Sequence, residues 1–137
     1  MARLITLDQA QTIVAACAKE AAAVGQPMNI AVVDDGGNLV AFAAMDGTKL
    51  IGEDISQRKA LSAVYFHMDT KDLAPLVQPG QPLYGIEATT QGRLVVFGGG
   101  VLLRTADGQV AGGVGVSAGS VDEDHQVAEA GRAAFQG

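Results

Sequence analysis

Two short glycine-containing turns between apolar segments constrain this chain more than any other feature of its sequence. The turns are Asp35-Gly36-Gly37-Asn38 and Asp107-Gly108. Turns of this length need the positive φ angles that glycine adopts at little steric cost, and they connect strands that pair antiparallel. The sequence therefore predicts two β-hairpins, with strands over residues 28–34, 39–45, 100–105 and 109–117.

Helical periodicity and capping residues predict helices towards both ends of the chain. Apolar side chains recur at helical spacing over residues 6–24, where Thr6 and Gln9 have the spacing of a capping box. Ser120 and Glu123 repeat that spacing before the last helix. Both helices are therefore expected to begin at a serine or threonine cap.

The segment between the hairpins predicts a helix over residues 51–67, a shorter helical piece over residues 70–77 and a strand over residues 93–97. The element order is then α-β-β-α-(α)-β-β-β-α. Such an order predicts an α+β fold in which helices cover an antiparallel sheet of about five strands. Without a linker or an internal repeat, residues 1–137 are expected to form one domain.

Composition and charge restrict the classes of partner. Hydrophobic residues make up 48% of the chain and charged residues 18%, which favours a packed core over disorder. The net charge is −6 and lysine and arginine form no cluster, so neither nucleic acid nor an anionic membrane is expected as a partner. The chain has no apolar segment of membrane-spanning length and its polar start is unlike a signal peptide, which predicts a cytoplasmic protein.

Charges on otherwise apolar helix faces are the strongest indication of a functional site. On a helical projection, Arg58 lies within the apolar arc of the second helix and Lys59 at its edge, while Asp124 lies in the inner stripe of the last helix. A charge on such a face is costly unless it is paired or reaches water. These side chains are either snorkelling and capping residues, or they border one cavity in which the cation holds a carboxylate and Asp124 moves a proton.

The glycine cluster Phe97-Gly98-Gly99-Gly100 has two interpretations. Consecutive N–H groups in such a loop can bind an anion such as a carboxylate or a propionate. The simpler alternative is a tight turn or bulge between strands. Under the first interpretation the loop shares the cavity of Lys59 and Asp124, and Asp34 is a second candidate proton carrier, although a turn residue is the simpler role for it.

The metal-ligating side chains do not form a recognisable site. His67 and His125 are interpreted as surface residues, and Cys17, in the middle of the first helix, as an inert core residue. Structural zinc requires four ligands at characteristic spacings, which this chain does not contain. We therefore predict no metal site built from protein ligands alone.

Three segments, at residues 32–42, 57–60 and 112–131, together resemble motifs of the GlcG/HbpS-like haem-binding family, which includes the C-terminal domain of a corrinoid adenosyltransferase. Residues 32–42, VVDDGGNLVAF, resemble the family's first hairpin, and Gln57-Arg58-Lys59-Ala60 is similar to its second-helix motif. Residues 112–117, GGVGVS, with Asp124 and residues 127–131 are similar to its last strand and helix. The resemblance covers nearly the whole chain and implies a profilin-like layering and a homo-oligomer.

The resemblance also implies a small-molecule ligand, which in some members is haem. A haem-binding member can use a histidine of the first helix as axial ligand, whereas residues 6–24 here contain none. An axial ligand to haem would then be His67 or His125. The residues expected to contact a ligand, besides Lys59 and Asp124 as catalytic candidates, are Asp34, Arg58, Phe97, Gly98, Gly99, Gly100 and Ser117.

Three functions are consistent with these observations. The first is a protein that binds haem or a small carboxylate. The second is a cofactor-free enzyme acting on a small oxygenated acid in a catabolic pathway. The third is a structural oligomer whose glycines serve only close packing.

Overall fold

The computed structural model describes residues 3–137, which form a sheet with helices on both of its faces. Apart from the strand predicted over residues 93–97, the elements follow the predicted order, and two 3₁₀ turns at Ala74–Val77 and Ile86–Thr90 lie in the connection before β3. The helices are α1 (Leu7–Ala23), α2 (Ile51–Phe66), α3 (Thr70–Leu73) and α4 (Val121–Ala133). The strands are β1 (Asn29–Asp34), β2 (Leu39–Ala44), β3 (Gly100–Arg104) and β4 (Val110–Ser117).

The four strands pair antiparallel in the order β2-β1-β4-β3. Ile30 of β1 lies opposite Ala43 of β2 on one side and Val116 of β4 on the other. Val101 of β3 lies opposite Val114 of β4. The α+β class and both hairpins are confirmed, and the two central strands are β1 and β4.

The prediction of five strands is wrong, because residues 93–97 form no strand. Leu94 and Val95 are buried, as their apolar character requires. The N–H of Val95, however, donates to the hydroxyl of Ser62 in α2 at 2.9 Å. The segment packs against a helix, so Leu94 and Val95 are buried without pairing to the sheet.

The three layers follow from the alternation of side chains along the strands. Ile30, Val32, Val114 and Val116 belong to the main core, which also contains side chains of α1 and α4. The opposite face of the sheet receives α2. Both predicted capping boxes are present at the starts of α1 and α4.

Helix α2 approaches the sheet through small residues. A Cβ atom added to Gly115 would lie 1.8 Å from the carbonyl oxygen of Ser56, and one added to Gly113 would lie 2.5 Å from that of Ala60. Because Gly113 and Gly115 of β4 have no side chain, the backbone of α2 can contact the backbone of the strand directly. Within residues 3–137, no helix combines the length and apolar character that crossing a bilayer requires.

The observed face of α2 corrects the helical projection. Ile51 and Tyr65, which helped to define the predicted apolar arc, are 63% and 47% exposed. The buried face instead consists of small residues and one lysine: Gly52, Ser56, Lys59, Ala60, Ser62, Ala63 and Val64. A projection based on hydrophobicity predicted the wrong buried face of α2. Glycine and serine have low hydrophobicity, but their small size allows the helix to pack closest to the sheet.

Candidate functional site

Lys59 is fully buried and is the largest side chain with that degree of burial in the described chain. Its Nζ donates to the carbonyl oxygen of Val116 and to Oδ2 of Asp124, both at 2.8 Å. The side chain thereby connects α2 with β4 and with the first turn of α4. The predicted proximity of Lys59 and Asp124 is thus present in the fold.

Asp124 is 2% exposed, and both of its carboxylate oxygens have partners. Oδ2 accepts from Lys59, and Oδ1 accepts from the N–H of Gly119 at 2.8 Å. The carboxylate also lies in the first turn of α4, where the helix dipole favours a negative charge. The arrangement makes Asp124 the counter-ion of Lys59.

Burial shifts the pKa of both members of this pair towards the neutral forms. The pKa of Lys59 is lowered because desolvation outweighs the attraction of Asp124. The pKa of Asp124 is raised for the same reason, against the opposing effects of Lys59 and of the Gly119 amide. Burial therefore brings the pKa values of the two groups closer together than those of a solvated lysine and aspartate.

The glycine cluster lies directly against Lys59. A Cβ atom at Gly99 would approach Lys59 Nζ to 2.4 Å, and one at Gly100 would approach the carbonyl oxygen of Lys59 equally closely. Gly99 has a φ angle of +124°, which side-chain-bearing residues rarely adopt. The ring of Phe97 lies 5.1 Å from Nζ and completes the surroundings of the ammonium group.

Arg58 points away from this cluster, although it is the sequence neighbour of Lys59. Its Nε pairs with Asp54 at 2.8 Å, and its Nη1 donates to the carbonyl oxygen of Gly92 at 3.0 Å. It borders a separate pocket of about 230 Å³ that Arg93 also lines. The structure therefore does not bring Arg58 and Lys59 to one cavity.

Asp34 and Ser117 lie at opposite ends of the sheet. Asp34 ends β1, and its Oδ1 accepts from the N–H groups of Gly36 and Asn38, which stabilises the hairpin turn. Ser117 is buried at the end of β4, one residue beyond the carbonyl group that accepts from Lys59. Ser117 thus adjoins the Lys59 cluster, and Asp34 does not.

His67 lines a separate groove of about 460 Å³ between the end of α2, β3 and α4. It ends α2 in the left-handed conformation, with a φ angle of +52°. This conformation commonly ends a helix, and histidine is among the residues other than glycine that adopt it most often. The groove is lined by His67, Met68, Asp69, Asp72, Leu102, Arg104, Arg132 and Phe135.

An ion pair forms part of this groove. Asp69 Oδ1 accepts from Arg132 Nη1 at 2.7 Å and from the N–H of Leu102 at 2.9 Å. Arg104 Nη1 donates to the carbonyl oxygen of Gly108 at 2.9 Å. Each arginine therefore keeps further guanidinium N–H groups beyond these bonds, and both residues line the groove.

His125 and Cys17 do not line the groove. His125 pairs through Nε2 with Glu129, and its buried Nδ1 has no hydrogen-bond partner among the described residues. Cys17 is buried, and desolvation raises the pKa of its thiol to about 12, which suits an inert core residue. No group of three or more metal-ligating side chains occurs within residues 3–137.

Sequence reasoning missed the arginines of the groove. Arg132 occupies the last turn of α4, where a cation is explained by the helix dipole alone. Arg104 follows an apolar strand and precedes a turn, as many surface residues do. Only the packing of α4 beside β3 and the end of α2 places them in one groove with His67.

The chain matches known proteins over most of its length. The family model described as haem degrading protein HbpS-like matches residues 5–133. A 15.0 kDa protein of Citrobacter freundii, encoded in the dhaT–dhaS intergenic region, is 39% identical over 125 residues, which cover 91% of this chain and 87% of that protein.

Two crystal structures have closely similar folds. Protein ORFY of Klebsiella pneumoniae superposes with a TM-score of 0.93 at 38% identity, over 98% of this chain and 92% of that one. A structure described as the PduOC:heme complex superposes with a TM-score of 0.89 at 32% identity, over 97% and 99% of the two chains. The expected resemblance is confirmed, and this chain belongs to the HbpS-like family.

Proposed function

We propose that this chain is a small-ligand-binding protein and that its ligand is haem, held in the groove lined by His67. The proposal is supported by a close structural relative described as a complex with haem. It is carried by one observation on this chain: an imidazole and two guanidinium groups line the same groove of about 460 Å³. A groove of this size falls within the usual range for small-molecule sites.

Six of the eight residues that line the groove fit the chemical parts of a haem, and the other two are aspartates. His67 provides a nitrogen that can ligate iron, and Met68 beside it provides a sulfur of the kind found in cytochromes. Arg104 and Arg132 suit the two propionates, because guanidinium groups bind carboxylates in a planar fork. Leu102 and Phe135 supply apolar surface for the macrocycle.

The chain's own residues hold and orient this ligand, while the bound iron supplies the redox chemistry. The pair between Arg132 and Asp69 fixes one guanidinium group before the ligand arrives. The hydrogen bond that the N–H of Leu102 donates to Oδ1 of Asp69 ties that pair to β3. Such prior positioning reduces the entropy lost on binding.

Titration of the purified protein with haem, followed in the Soret region, tests this proposal. We expect saturable binding by the wild-type chain. In His67→Ala we expect a shifted Soret band and an affinity at least about tenfold weaker, since losing even an outer-shell partner of a metal ligand costs about 10–100-fold. His125→Ala is the matched control and should behave as the wild type. Equal spectra and affinities for the wild type and His67→Ala would contradict the proposed ligand.

A metal-free porphyrin separates the two halves of the proposed site. Protoporphyrin without iron should bind His67→Ala and the wild type equally, since only the arginines and the apolar wall contribute. Arg104→Gln should weaken binding of both porphyrins.

A homo-oligomer is a further part of the proposal. Leu50 and Ile51, adjacent in sequence at the start of α2, are 83% and 63% exposed, although large apolar side chains favour burial. Exposed apolar residues of this size support the idea that a second copy of the chain covers them.

A further inference from the structure

The loop Phe97–Gly99 contains buried main-chain donors that the fold does not use. Gly98 and Gly99 are buried. Among residues 3–137, no carbonyl oxygen or side chain accepts a hydrogen bond from the N–H of Phe97, Gly98 or Gly99. Most buried N–H groups in proteins have a partner, because a donor without one loses the hydrogen bonds it would form in water.

These donors lie next to a buried cation. The space that a Cβ atom of Gly99 would fill is 2.4 Å from Lys59 Nζ, so the ammonium group and the loop are in direct contact. Two of the three Nζ protons are used by Val116 and Asp124. The Phe97 ring, 5.1 Å away, lies over the ammonium group.

Phe97 is suited to act as a movable cover. Phe97 is 41% exposed, although its ring lies against the fully buried amine of Lys59. It precedes two glycines in a segment without regular secondary structure. Because the ring lies over Lys59 Nζ, its rotation would uncover the amine.

We propose that a small carboxylate binds at this place, with its oxygens on the N–H groups of Gly98 and Gly99 and on Lys59 Nζ, after the Phe97 ring has turned aside. Main-chain N–H groups of a glycine loop bind oxyanions, and the adjacent ammonium group adds a charge-assisted hydrogen bond. Asp124 keeps Lys59 in position, and repulsion between its carboxylate and the bound one weakens the affinity. This site is separate from the groove of His67, so failure of the haem proposal would leave it untouched.

The surroundings set the affinity and the size of the ligand. Lys71 lies beside Gly98, with its Cβ 3.7 Å from the position that a Cβ of Gly98 would take, and its exposed amine adds positive charge. Asp122 and Glu123, in the exposed first turn of α4, oppose an anion. Val121 lies 3.0 Å from that same Cβ position and limits the space, which favours acids of a few carbon atoms.

The test uses acetate as the probe and the amide resonances of Gly98 and Gly99 as the readout. In ¹⁵N–¹H spectra of the full chain, acetate should shift both resonances saturably in the millimolar range, whereas sodium chloride at equal ionic strength should not. Phe97→Ala should bind acetate at least about threefold more tightly, since no ring has to be displaced. Absence of saturable shifts at both glycines in the wild type would overturn the proposal.

Variants at the pair assign the cation. The double variant Lys59→Met/Asp124→Asn should lose saturable acetate binding, while Lys19→Met, at an exposed lysine of α1, should retain it. Unchanged acetate affinity in the folded double variant would overturn the role of Lys59. Should that variant not fold, Phe97→Ala decides, because weaker or equal acetate binding there contradicts the cover.

Discussion

Arg58 and Lys59 are adjacent in α2, yet their surroundings are opposite. Arg58 pairs with Asp54 on the same helix, and the two side chains are 36% and 69% exposed. Lys59 pairs with Asp124 on another helix, and the two side chains are 0% and 3% exposed. One step of about 100° around the helix separates a solvated ion pair from a buried one.

This difference in exposure determines how much each ion pair can contribute to the free energy of unfolding. A solvated pair spaced by four residues on a helix contributes about 0.3–0.5 kcal/mol. A buried pair loses hydration on both sides, and the attraction between its charges often does no more than offset that loss. A contribution to stability therefore does not explain why Lys59 and Asp124 are paired in the core, which is consistent with a role in binding.

The largest effect is expected from breaking the buried pair on one side. Lys59→Met should lower the free energy of unfolding by about 3–5 kcal/mol, because Asp124 keeps a buried charge without its counter-ion. Urea denaturation at neutral pH measures this change. Lys19→Met serves as a control for the loss of an exposed lysine.

The double variant Lys59→Met/Asp124→Asn sharpens the comparison. Asparagine retains an oxygen that can accept from Gly119, so we expect the double variant to recover most of the stability lost in Lys59→Met. A double variant as unstable as the sum of the two single variants would contradict a coupled pair.

The pH dependence of stability is expected to be smaller and to have two limbs. The pKa of Asp124 in the folded state is raised above its usual value of 3.8. In the pH window between the unfolded-state and folded-state pKa values, the folded state binds more protons than the unfolded state, so stability falls as pH rises. The pKa of Lys59 is lowered below 10.5, so in the corresponding window the unfolded state binds more protons and stability rises with pH. Each limb has a slope of at most about 1.4 kcal/mol per pH unit.

Chemical denaturation of the wild type and the double variant across the pH range measures these limbs by difference. Subtraction removes the other titrating groups, which both proteins share. Parallel curves would mean that the pair does not change its protonation on unfolding.

The smallest effect is expected at the solvated pair. Arg58→Met should change the free energy of unfolding by less than about 1 kcal/mol, since water screens the charge and replaces its hydrogen bonds. Thermal and urea denaturation at low and high salt measure it. A loss as large as that of Lys59→Met would remove the contrast between the two cations.

Local features of this fold were predictable because their causes are local. The capping boxes at Thr6 and Ser120 need only residues three positions apart, and the hairpin turns need only adjacent glycines. The strand predicted over residues 93–97 failed for the converse reason. Its apolar residues require burial, and in the structure they are buried against α2. The local sequence does not show whether such a segment will pack against a helix or pair with a strand.

The sequence by itself determined the α+β class, both hairpins, the caps and the presence of unusual charges on apolar helix faces. Only the tertiary structure decided which charge is buried, because the close face of α2 depends on the glycines of β4, far along the chain. It also placed Arg104 and Arg132 in one groove with His67. Long-range packing sets these relations, since burial and charge pairing depend on elements that meet only in the folded chain.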